Sequence, residues 1–73
     1  MDIVEQRGEH YGDPKVNHAR IAAMWEAYLG HPVSAHDVAM CMILVKVSRA
    51  RAGMNIDNYT DISGYASIAS RLK

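Results

Sequence analysis

One cysteine, Cys41, is all the chain holds. That excludes an internal disulfide and a cysteine-built zinc cage. There is no surplus of charge either: eight Lys and Arg balance eight Asp and Glu. The balance argues against a purely electrostatic binder of nucleic acid or of membrane surfaces. No long hydrophobic run is present. The longest, Val38 to Val45, is far too short to span a bilayer. The opening Met1-Asp-Ile-Val-Glu-Gln-Arg lacks the charged and apolar blocks of a signal peptide. Also missing are a Gly-rich phosphate loop, a nucleophile elbow, an H-E-x-x-H motif, internal repeats, low-complexity tracts and strand-like alternation. These absences describe a soluble, cytoplasmic protein with no membrane role. Nucleic acid is disfavoured as a partner too, because no helix-turn-helix pattern relieves the neutral charge.

What is present fits one small helical domain over residues 1–73. Apolar residues make up 49% of the 73, ordinary for a globular chain and too many for disorder. A chain this short sits near the lower limit for a self-sufficient core, so completion by oligomerisation, as a dimer or higher, is expected.

The fold class read from pattern is all-α, a compact bundle of three main helices (about 14–29, 35–52 and 58–71) plus a short N-terminal one over 2–9. Asp13-Pro14 is a helix start, with Asp as the cap and Pro in the first helical position. Ile21, Met24, Trp25 and Tyr28 recur at helical spacing as one apolar face, and Gly30 followed by His31-Pro32 ends the helix. Ser34 and Asp37 stand at capping-box spacing and open the second helix, with Gly53 as its stop. Between Val38 and Val47 that helix is apolar nearly all round, which predicts central burial or sharing with another subunit. The third helix takes Asp57 or Asn58 as its cap and Ile62, Tyr65, Ala69 and Leu72 as its inner stripe. Gly64 within it costs about 1 kcal/mol against alanine, which close approach of a helix or ligand offsets. Cys41 and Trp25 are expected in the core, and Met40, Met42 and Met54 as core or interface filler.

Lys46 and Arg49 interrupt the most apolar stretch, three residues apart on one helix. A charge in such surroundings needs a partner or a ligand. Asp57 and Asp61, four apart on the next helix, are the candidates. Two readings coexist: a structural ion-pair network tying the two helices together, or a phosphate site with Lys46 as point charge and Arg49 as bidentate fork. Asp57 and Asp61 alone make a poor metal site. Mg²⁺ there would need a third carboxylate, a substrate phosphate or a second subunit, and Asp37 is already a cap. The four histidines match no zinc-ligand spacing. No metal or other cofactor is assigned.

The run of residues Arg7-Gly8, Tyr11-Gly12-Asp13, Asn17, Trp25, Asp37-Val38-Ala39, Lys46-Val47, Arg49, Asp57, Asp61-Ile62 and Gly64-Tyr65-Ala66 resembles a family of small bacteriophage and prophage proteins, the domain of unknown function six-three-seven-eight. The resemblance covers about residues 5–70. A looser similarity links the chain to phage nucleotide modification associated helical domains. The family resemblance implies phage origin, an all-helical fold and an infected bacterial host cell as the setting. It implies no established activity. It places Tyr11, Asp13, Asn17, Asp37, Lys46, Arg49, Asp57, Asp61 and Tyr65 in the family pattern. MazG-like nucleotide pyrophosphohydrolases share the helices and carboxylates, but this chain lacks their E-x-x-E metal-ligand helix.

The leading expectation is therefore a phage accessory protein that binds a nucleotide or other phosphorylated small molecule, in nucleotide metabolism or counter-defence. Lys46 and Arg49 would meet phosphate, Asp57 and Asp61 would orient them or hold Mg²⁺, and Tyr11, Asn17 and Tyr65 would contact base or sugar. No residue set commits the chain to a reaction. The alternative is a host-takeover or anti-defence module that binds a bacterial protein, its charged cluster purely structural and its contact surface an exposed apolar patch.

Overall fold

The computed structural model describes residues 13–53 and 56–72, which form three helices: α1 (Pro14–Leu29), α2 (Ala35–Ala50) and α3 (Ile56–Ser70). Among the described residues there is no strand. The all-α fold expected from the pattern is the fold observed. The short helix over 2–9 and Met54 lie outside the described residues.

Each helix start is written locally. The Asp13 side chain accepts a hydrogen bond from the Lys15 amide at 2.9 Å, with Pro14 as the first helical residue. At α2 the capping box is complete: Ser34 Oγ accepts from the Asp37 amide at 3.0 Å, and Asp37 Oδ2 accepts from the Ser34 amide at 2.9 Å. Both arrangements satisfy N–H groups that the helix itself leaves without partners.

The ends differ in mechanism. Gly30 stops α1 in the left-handed region, at φ 65° and ψ 31°, and its amide donates to the Glu26 carbonyl at 2.9 Å. This is the single-bond left-handed cap, which glycine adopts without penalty. The Glu26 carboxylate then accepts from the Val33 amide at 2.9 Å and ties the loop back onto α1. α2 ends two residues short of the expected boundary, at Ala50. Arg51 caps it in the right-handed region, and Gly53 carries no positive φ. The Ala52 amide reaches the Arg49 carbonyl at 3.1 Å, so the last turn simply tightens. α3 begins at Ile56, two residues earlier than its pattern suggested. Asp57 and Asn58 are thus first-turn residues rather than caps.

α2 is central: it packs against α1 and, more extensively, against α3. The core is made of small side chains. Ala39, Ile68 and Ala69 form its centre, with Tyr65 and Leu72 packed against them; Val38 is fully buried, and Ala22 is buried on α1. Alanine at these contacts lets helix axes approach closely. The α1 face turned inward is His18, Ile21, Ala22 and Trp25, at spacing three, four and seven. Met24 and Tyr28, expected on that face, are exposed. Helical geometry explains the correction: both lie to one side of the stripe that His18 and Ala22 define. Trp25 is half-buried rather than a full core anchor.

α2 itself buries only one side. Val38 and Ala39 are enclosed, and Met42 and Ile43 are partly so, while Met40, Leu44, Val45 and Val47 face outward. Central burial of the whole apolar run does not occur within this chain. Cys41 is exposed too, against the expectation of a core thiol.

Candidate functional site

α2 and α3 bring one of the predicted charge partnerships together. Lys46 Nζ lies 3.0 Å from Asp61 Oδ2, with the two side chains only 14% and 13% exposed. The apolar run forces this pairing: position 46 is on the inward half of α2, and an ammonium placed there demands a counter-charge. Asp61 occupies the inner side of α3 between Asn58 and Tyr65, so it supplies one.

The other predicted residues are placed less tightly. Arg49 is exposed in the last turn of α2, where a cation suits the helix end. Asp57 is exposed in the first turn of α3, where an anion suits the opposite end. Asp57 and Asp61 both have further interactions, so neither carboxylate is spare. Tyr65 is half-buried one turn beyond Asp61, and Asn17 is half-buried on α1. Tyr11 lies outside the described residues. Among the described residues, no three His, Cys, Asp or Glu side chains gather as a metal-binding group. A divalent cation on Asp61 would have to compete with the Lys46 ammonium.

Two polar residues are buried where the pattern gave no burial: Asn58, expected only as a helix cap, and His18. Asn58 is enclosed at the start of α3, and His18 is enclosed on α1. His18 Nδ1 is 2.8 Å from the Pro14 carbonyl oxygen, an acceptor, so Nδ1 carries the proton. Nε2 is then an acceptor, buried and without a partner among the described residues. The ring faces Tyr65 of α3 at 6.1 Å between centroids, tilted by 60°. The signal for His18 was available: it stands three, four and seven residues before Ile21, Ala22 and Trp25, on the same helical face.

Asp37 is a perturbed acid. The Ser34 amide, then the Ser34 hydroxyl, stabilise its carboxylate and hold its pKa below the ordinary aspartate range, with His36 and His31 adding smaller contributions. Slight desolvation opposes them. Asp37 is therefore a structural acid at a helix start.

A family model described as Domain of unknown function (DUF6378) matches residues 1–73. The chain belongs to the DUF6378 family. Its relatives are phage proteins. The Gene 55 protein of Mycobacterium phage L5 is 43% identical over 70 residues, covering 93% of this chain and 45% of that protein. The Gene 55 protein of Mycobacterium phage D29 is 38% identical over 68 residues, covering 92% of this chain and 45% of that protein. The chain thus spans a little under half the length of these curated relatives. No solved structure matches it. Among the described residues, no helix is long and apolar enough to cross a membrane.

Proposed function

We propose that this DUF6378 domain is a protein-interaction module that binds a bacterial host protein during phage infection, with the Lys46–Asp61 pair serving as a structural lock. The observation that carries this reading is the open end of α1. Tyr28 is 90% exposed there, with Met24 and Leu29 exposed beside it. Aromatic and long apolar side chains grouped at one place are the usual anchors of protein contacts. Lys46, Asp57 and Asp61, by contrast, are engaged within the fold: Lys46 is held by Asp61, and both carboxylates have further interactions. The reading is tested by affinity capture from infected cells with the wild type and a Tyr28→Glu variant. A stoichiometric host protein retained by the first and lost by the second supports it; identical capture by both overturns it.

A second reading, binding of a nucleotide or other phosphorylated small molecule, draws on Arg49. Its guanidinium is exposed one turn from Lys46 and suits a phosphate fork. Asp57, Asp61, Tyr65, Asn17 and Tyr11 would complete the contacts, and Mg²⁺ could enter only together with the phosphate. Isothermal titration against a nucleotide panel that includes cyclic dinucleotides decides it. No heat at millimolar ligand removes this reading.

A further inference from the structure

The outward side of α2 has an order that the host-contact reading does not use. Asp37, Met40, Leu44, Val47 and Arg51 follow one another at intervals of three, four, three and four, and all five are exposed. Leu44, at the middle, is 66% exposed. This spacing is the seam of a helix that packs lengthwise against another helix. Within the chain, the opposite side of α2 already carries Val38 and Ala39 into the core, so neither α1 nor α3 covers the seam.

We infer that a second copy of this chain covers it, with the two α2 helices antiparallel about a twofold axis beside Leu44. The charges select both the partner and the direction. Asp37 stands seven residues before Leu44, and Arg51 stands seven after it. A twofold axis at Leu44 therefore sets the Asp37 end of each helix beside the Arg51 end of its partner. Two opposite-charge contacts flank a centre made by Leu44 with Met40 and Val47. A parallel pair would instead face Asp37 with Asp37 and Arg51 with Arg51, which like-charge repulsion disfavours. Antiparallel alignment also brings opposite ends of the helix dipoles together. A self-complementary surface of this kind is what a twofold interface requires, since each residue must meet the partner of its own symmetry mate. Cys41 lies beside the seam and is half enclosed by the same contact. The host-contact reading uses the end of α1, so the two stand or fall separately.

Sedimentation equilibrium on the 73-residue chain tests the inference, with circular dichroism to confirm that each variant keeps its helices. The wild type is expected to be a dimer. Leu44→Arg, at a position exposed in the single chain, should leave helicity unchanged and raise the dimer dissociation constant by about 100-fold or more. Arg51→Ala should weaken the dimer by about tenfold, and Arg51→Lys should weaken it less. A wild type that stays monomeric at millimolar concentration overturns the inference, and so does a dimer indifferent to Leu44→Arg. A dimer that tightens on Arg51→Ala overturns the antiparallel arrangement, because only like-charge pairing would be relieved by that change. Host capture through Tyr28 is read in a different experiment and is untouched by any of these outcomes.

Discussion

Lys46 of α2 and Asp61 of α3 form a 3.0 Å ion pair that is mostly enclosed between the two helices. The pair joins the most apolar helix of the chain to the helix that contributes most of its core. Because both ends are nearly dehydrated, removing one strands the other. Lys46→Met should cost about 1–3 kcal/mol in urea unfolding, below the full cost of breaking a deeply buried pair because some solvent remains. Adding Asp61→Leu to that variant should recover part of the loss, with a coupling of about 1 kcal/mol. A Lys46→Met protein as stable as the wild type would remove the lock and return Lys46 to the phosphate-binding reading.

The Ser34–Asp37 capping box should make α2 sensitive to acid. Asp37 is held below the ordinary aspartate range, so the sign is fixed: its contribution is fully present above the unfolded-state value and disappears as pH falls through the lowered folded-state value. Asp37→Asn keeps the shape and removes the charge, and should flatten that acid limb of the stability curve. Ser34→Ala removes the hydroxyl acceptor and should cost about 1 kcal/mol at neutral pH. Thermal unfolding of both variants from neutral pH down to below the ordinary aspartate range measures each effect.

How much of this could be read from the residues depends on how local the physics is. Asp13-Pro14, Ser34 with Asp37, and Gly30 act over three or four residues, and each does in the structure what its position implied. The Lys46–Asp61 pairing was also legible, because an ammonium in an apolar run leaves few alternatives. Arg49 and Asp57 did not join that contact. Arg49 is exposed in the last turn of α2, and an early start for α3 places Asp57 at the exposed end of the first turn. The inner face of α1 was the harder problem. Large apolar residues pointed to Met24 and Tyr28, whereas the actual contact uses Ala22 and the polar His18. Which side of a helix is buried depends on the shape of its neighbour, and a neighbour lined with alanine admits small side chains.

Gly30 and Gly53 should respond oppositely to alanine. A Cβ at either position meets nothing within 4 Å, so sterics with neighbours do not distinguish them. The backbone does. Gly30 sits at φ 65°, and Gly30→Ala should cost about 1 kcal/mol, with Gly30→Asn milder because asparagine tolerates that region. Gly53 has no positive φ, so Gly53→Ala should be neutral or stabilise by about 0.5 kcal/mol by narrowing the unfolded ensemble. Chemical denaturation of the two alanine variants side by side checks the contrast. Equal losses at both positions would show that Gly53 also needs a left-handed conformation.

His18 offers the most discriminating substitution. Its Nδ1 is paired with the Pro14 carbonyl, but the buried Nε2 has no partner among the described residues, and such an acceptor costs about 1–3 kcal/mol. His18→Phe keeps a ring against Tyr65 and removes both nitrogens. The lost Nδ1 bond and the relieved Nε2 penalty oppose each other, and the balance should lie between neutral and about 1 kcal/mol stabilising. His18→Asn keeps a polar group but withdraws the ring, and should destabilise by about 2 kcal/mol through lost packing. Guanidinium unfolding of the two variants reads both values. If His18→Phe instead loses as much as His18→Asn, then Nε2 has a partner in solution. In that case, a polar group meeting Nε2 stabilises the fold.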